Sequence, residues 1–166
     1  PPNRGLHIAT TVINRLIPEL TKNNIKVHFD IYSTCDYNID SPDSGAQDMF
    51  KIIQNNPSIN YHGFASPDII RAALLESDIF VYPSIYPESS ATCLMEAMSA
   101  KCLCVHNKYA SLTEISDNHT VSYPFIPHAS YGTELYTHMT NFANHLIKAI
   151  SLKTQGNITE ILDQQK

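Results

Sequence analysis

Short apolar runs alternating with helix-length stretches limit this chain to few folds. The strand-like runs are 25–33 (IKVHFDIYS), 59–64 (INYHGF), 78–84 (DIFVYPS), 102–106 (CLCVH) and 120–125 (TVSYPF). Each is rich in β-branched or aromatic residues and is bounded by turn residues. Apolar residues recur at helical spacing over 6–17, 43–55, 67–76, 90–100 and 131–152, and 109–116 predicts one further short helix. Pro18 is expected to end or kink the first helix, whereas Pro67 suits the first turn of the third. This repetition predicts an α/β fold, a doubly wound parallel sheet with helices on both faces. Residues 1–5 read as a loop entering a helix, so the sheet is expected to lack its first strand, ahead of Pro1. The expected organisation is one domain over 1–152 and a polar tail over 153–166, the whole being a piece of a longer protein.

Composition narrows the function classes. The chain has 166 residues, 43% apolar and 16% charged, which fits a soluble globular domain with a real core. A formal charge of −5 gives no basic footprint for nucleic acid or an anionic membrane. No apolar run approaches the roughly 20 residues that span a bilayer, and no signal peptide is evident. Cys35, Cys93, Cys102 and Cys104 form no CxxC pair, and most sit in apolar contexts as reduced cysteines do. A cytoplasmic location is therefore expected. The histidines form no HxxxH or HExxH pair, and His28 and His62 read as structural.

Parallel sheets bind ligands at the carboxyl ends of their strands. That directs attention to loops 34–42, 63–66, 84–90 and 106–112, and to the stretch before the first helix. The loop at 84–90 leads into YPESSATCLMEAM, with Glu88 in the loop and Glu96 on the following helix. On a helix from about Ser90, Ala91, Leu94, Met95 and Met98 form the packing stripe and Glu96 points away from it. Ser89 or Ser90 is expected to cap the start. Both acids are expected to face away from the core. Two solvated acids would satisfy this pattern. So would two ligands for a phosphorylated sugar, because small residues at a helix N-terminus admit an anion to backbone N–H groups.

The stretch Asn60–Glu114 resembles the donor-binding half of retaining GT-B glycosyltransferases, in particular the group-1 (family 4) class. It carries HGF before a Ser-Pro helix start, the DIFVYPS strand, an E-x7-E motif closing in EAM, and a second strand leading to a Thr-Glu turn. NRGL at 3–6 is similar to the family's basic-Gly-Leu phosphate loop, with Arg4 where lysine is usual. The resemblance implies a Rossmann-like, nucleotide-sugar-binding domain over 1–152. It implies a hexosyl transfer to a saccharide or lipid acceptor, with Glu88 contacting the donor sugar at the reacting carbon. Glu96 would hold the ribose, Arg4 and Gly5 the diphosphate, and Phe64 would lie beside the base. Ser89, Ser90, Ala91 and Thr92 would line the phosphate and sugar. The implied donor is a UDP- or GDP-sugar, with no metal cofactor. The implied partner is an N-terminal acceptor domain of the same protein, and peripheral membrane association of the full-length protein is also expected. Where the family has Phe-Gly after its first glutamate, this chain has Ser90-Ala91, and Ala100-Lys101 stands where a glycine usually precedes the next strand. A non-catalytic interaction or regulatory module on the same fold is the alternative.

Overall fold

The computed structural model describes residues 4–33, 44–128 and 132–156. Along them run α1 (Leu6–Lys22), β1 (Phe29–Tyr32), α2 (Ser44–Asn55), β2 (Ile59–Gly63), α3 (Pro67–Glu76) and β3 (Ile79–Tyr82). They continue with α4 (Thr92–Ser99), β4 (Leu103–Lys108), α5 (Ser111–Ser116), β5 (Val121–Pro124) and α6 (Gly132–Thr154). All strand pairing is parallel, as expected, but it falls into two sheets: β1–β2, and β3–β4–β5. Cys35 and the loop expected at 34–42 lie outside the described residues. Among the described residues no helix is long and apolar enough to cross a membrane.

Alternation along β4 explains the two covered faces. Leu103 and Val105 point one way, into a cluster with Ile8, Val12 and Ile13 of α1 and Phe142 of α6. Cys102 and Cys104 point the other way, onto Leu94 and Ala97 of α4 and Leu112 of α5. Burying each of these aliphatic side chains contributes about 1.5–3 kcal/mol. Burial also pushes the Cys102 thiol up to about 11 and the Cys104 thiol higher still, so both stay neutral and act as small hydrophobes.

Three local expectations need correction. Helix α1 does not stop at Pro18 but continues to Lys22. Leu16 and Ile17 pack on the core just before the proline. Beyond it, Thr21 Oγ1 donates to the Ile17 carbonyl at 2.8 Å and Asn23 Nδ2 to that of Glu19 at 2.8 Å, closing the last turn. Helix α4 begins at Thr92, not Ser90, with Ala91 at the N-cap and no side-chain cap. Ala91, Leu94 and Met98 pack as expected and Ala97 joins them, whereas Met95 is 41% exposed. Helix α6 runs to Thr154, two residues past the helix end expected at 152, and Lys153 Nζ meets Asp78 at 2.8 Å; residues 157–166 of the expected tail lie outside the described residues.

Helix α4 ends in a Schellman turn: Cys102 N–H donates to the Ala97 carbonyl at 3.0 Å and Lys101 N–H to that of Met98 at 2.9 Å. The left-handed residue is Lys101, with φ 62. The turn usually supplied by glycine is therefore kept by a side-chain-bearing residue at a steric cost. Lys101→Gly is expected to raise stability by about 0.5–1 kcal/mol, read as a higher urea midpoint with an unchanged m-value.

Two buried histidines make the fold pH-sensitive. His106 lies with Nδ1 2.7 Å from the Asn107 carbonyl and Nε2 2.8 Å from Thr120 Oγ1. His138 Nε2 lies 3.3 Å from the Pro83 carbonyl, while its Nδ1 has no partner among the described residues. Burial lowers the pKa of both imidazoles below the ordinary 6.5. The unfolded chain thus binds protons that the folded chain refuses. Their stabilising contribution is complete above the unfolded value and is lost as pH falls through the folded values. Urea midpoints should drop between pH 7.5 and pH 5, and His106→Gln should shallow that drop.

Candidate active site at the carboxyl end of β3

The loop from β3 to α4 is pinned at several points. Pro83 and Ser84 are buried, and Asn107 Nδ2 of β4 donates to the Ser84 carbonyl. Tyr86 N–H donates to Ser84 Oγ at 3.2 Å, and Ser111 N–H donates to the Glu88 carbonyl at 3.2 Å. Held this way, the loop turns the Glu88 side chain inward. Glu88 is 6% exposed, so the expectation that it faces away from the core is wrong. Helix rotation and loop position were the only guides in the sequence, and neither registers a loop tied back from β4 and α5.

A buried carboxylate needs partners. Tyr82 Oη donates to Glu88 Oε1 at 2.7 Å. Arg4 Nε lies 3.2 Å from the same oxygen, and Arg4 Nη2 donates to Oε2 at 3.5 Å. Burial, and next the bond to Glu88, push the Tyr82 hydroxyl well above its ordinary range. Cys93, on the first turn of α4, also faces Tyr82, and burial raises its thiol pKa. The Glu88 carboxylate thus accepts from a phenol that stays neutral and from a guanidinium. Arg4 is half-exposed and keeps donors free for a further anion.

The other expected residues separate into two groups. Arg4, Gly5, Phe64 and Glu96 line one groove of about 1230 Å³, together with Tyr82 and Cys93. Phe64 is 78% exposed there, and Glu96 is exposed as expected. Ser89, Ser90 and Thr92 are exposed but do not line that groove, and the Ala91 side chain is buried, leaving only its backbone for a ligand. No side chain caps the start of α4, although Leu94 N–H already donates to the Ala91 carbonyl at 3.0 Å. Gly5 adopts φ 81 at the N-cap of α1, against Pro83.

Sequence reasoning missed Tyr82 and Asn107. A signal existed for each. Period-2 alternation puts Tyr82 with Phe80 on the α4 face, where their rings lie 6.1 Å apart. Asn107 is a polar residue inside a buried central strand, where an amide requires a partner. Tyr109 and Phe125 stack with centroids 3.6 Å apart past the ends of β4 and β5.

A family model described as glycosyl transferases group 1 matches residues 2–145 of the chain. A crystal structure of a glycosyltransferase from Rickettsia africae ESF-5 superposes with a TM-score of 0.70 at 15% identity, over 98% of this chain. That level of identity speaks to the fold. The chain spans 38% of the length of that structure. No curated protein matches the sequence.

Proposed function

The chain belongs to the glycosyl transferases group 1 family, and from that premise we propose that it is the donor-binding half of a retaining transferase that uses a nucleotide-diphosphate sugar. The observation that carries this reading is the buried Glu88 carboxylate, fixed by Arg4 and Tyr82 beside the uncapped start of α4. Breaking a glycosyl–phosphate bond sends an electron pair to the diphosphate and leaves positive charge on the sugar. The Arg4 guanidinium and the α4 N-terminus stabilise the first. The Glu88 carboxylate, oriented before the substrate arrives, faces the second and accepts from sugar hydroxyls. Glu96, exposed on the groove, accepts from the ribose diol, and Phe64 offers a ring to the base. The diphosphate leaves as an anion without needing a protein acid, and this donor set asks for no metal. An acceptor domain elsewhere in the protein supplies the attacking hydroxyl of a saccharide or lipid, and the reduced cysteines fit a cytoplasmic setting.

Calorimetric titration with UDP- and GDP-sugars tests the reading. One of them should bind, and Arg4→Ala should weaken it by about tenfold or more. Silence toward every nucleotide at millimolar concentration would sink the proposal and favour a non-catalytic module.

A further inference from the structure

Outside the groove, the carboxyl end of the three-stranded sheet carries a pair of stacked rings. The register of β4 and β5 sets Lys108 opposite Pro124, so the next residues, Tyr109 and Phe125, meet just past the ladder. Their planes are 1° from parallel and their centroids 3.6 Å apart, close to a face-to-face sandwich, which ring quadrupoles disfavour. The neighbouring backbone is strained too. Ala110 holds φ 47 and ψ −133, a conformation that a residue with a Cβ rarely adopts. The rings therefore owe their positions to the strand ends and not to their own attraction. Nor do they complete the core. Among the described residues, neither ring packs into either apolar cluster, neither lines the groove, and both are half-buried.

We propose that this pair is a stacking shelf for a pyranose ring of a saccharide acceptor, an inference that rests on the transferase reading above. Position carries it. Ser111 N–H, two residues after Tyr109, donates to the Glu88 carbonyl at 3.2 Å. That contact puts the Tyr109 backbone within about 12 Å of Glu88. A short saccharide resting on the rings reaches the reacting centre without entering the groove that takes the donor. A third ring, Tyr86, is 43% exposed on the neighbouring β3–α4 loop. The chemistry matches as well. One face of a pyranose is lined with C–H bonds, which meet the negative face of an aromatic ring, while its hydroxyls point outward. Lys108 and Thr113, exposed on either side of Tyr109 in the chain, offer hydrogen-bonding groups to those hydroxyls. A lipid surface fits less well. Half-buried rings have little to insert into a bilayer, and a chain of net charge −5 is repelled by anionic headgroups.

Saturation-transfer NMR tests the shelf, with the methyl pyranosides of glucose, mannose, galactose and N-acetylglucosamine and their disaccharides as probes. At least one should bind, with saturation concentrated on the C–H protons of one ring face. Tyr109→Leu keeps the bulk but not the flat ring, and should weaken that binding by about three- to tenfold, whereas Tyr109→Phe should retain it. Affinity for the UDP- or GDP-sugar, read by calorimetry, should be the same in all three proteins. No saccharide signal at about 50 mM, where even a millimolar site is filled, would overturn the shelf; intact nucleotide binding beside it would leave the donor reading standing. Equal saccharide binding by Tyr109→Leu also overturns the shelf. So does sedimentation with phosphatidylcholine vesicles that Tyr109→Leu abolishes, with no sugar bound, which would make a lipid the occupant. Ring-dependent saccharide binding without any nucleotide binding would keep the sugar site and fail the donor reading.

Discussion

Replacing Glu88 by glutamine in the full-length transferase should lower kcat by about 100-fold or more, while leaving the fold nearly as stable. The amide oxygen can still accept from Tyr82 Oη, so the 2.7 Å bond and the side-chain volume survive. What disappears is the negative charge that the proposed reaction sets opposite the sugar, and the ionic part of the contact with Arg4, at 3.2 Å. The stability loss should stay near 1 kcal/mol, since Arg4 is half-exposed and water can satisfy it. Glu88→Ala should behave differently. It strands the Tyr82 hydroxyl, adds a cavity, and should cost about 2–3 kcal/mol, so its activity loss would mix folding with chemistry. The informative comparison is therefore the glutamine variant, with kcat and KM measured separately beside a urea titration. Unchanged kcat in a folded Glu88→Gln protein would remove Glu88 from the reacting centre.

The order of elements was legible because it is written in short-range pattern. β-branched runs broken by Pro, Ser and Asn placed every strand among the described residues, and Pro67 marked the first residue of α3. Orientation within loops was not legible, because long-range ties decide it. Glu88 turns inward owing to bonds from Asn107 and Ser111, some twenty residues downstream, to its loop. Pro18 was misjudged for a related reason: local propensity disfavours it mid-helix, but packing on its N-terminal side and side-chain bonds on its C-terminal side carry α1 through. The split into β1–β2 and β3–β4–β5 was not legible in the run pattern, which gives strands but not their pairing. Arg4 was legible as a cation next to Gly5 and Leu6, yet its partner Glu88, 84 residues away, was not.

Gly5→Ala should be among the most damaging single substitutions in the chain, although it adds one methyl group. Gly5 holds φ 81, where an L side chain is strained. A Cβ built there would also overlap the carbonyl oxygen of Pro83. Because that obstacle is backbone, no rotamer change at Pro83 relieves it, and either α1 or the end of β3 must shift. The Gly5 carbonyl accepts from Ala9 N–H at 2.9 Å, so a shift propagates directly into the first turn of α1. Ile8, Val12 and Ile13 of that helix form one side of the main core. Strain and displaced packing together should cost about 2–4 kcal/mol, a fall in Tm of roughly 5–15 °C for a domain of this size. Arg4 would move with Gly5 away from Glu88, so nucleotide-sugar affinity should fall in the fraction that remains folded. Arg4→Ala separates the two effects: it should weaken donor binding at a smaller cost in Tm than Gly5→Ala, because Tyr82 Oη still donates to Glu88 and Arg4 itself is half-exposed. Equal melting of Gly5→Ala and the unaltered chain would show that the contact between residue 5 and Pro83 does not hold α1 in place.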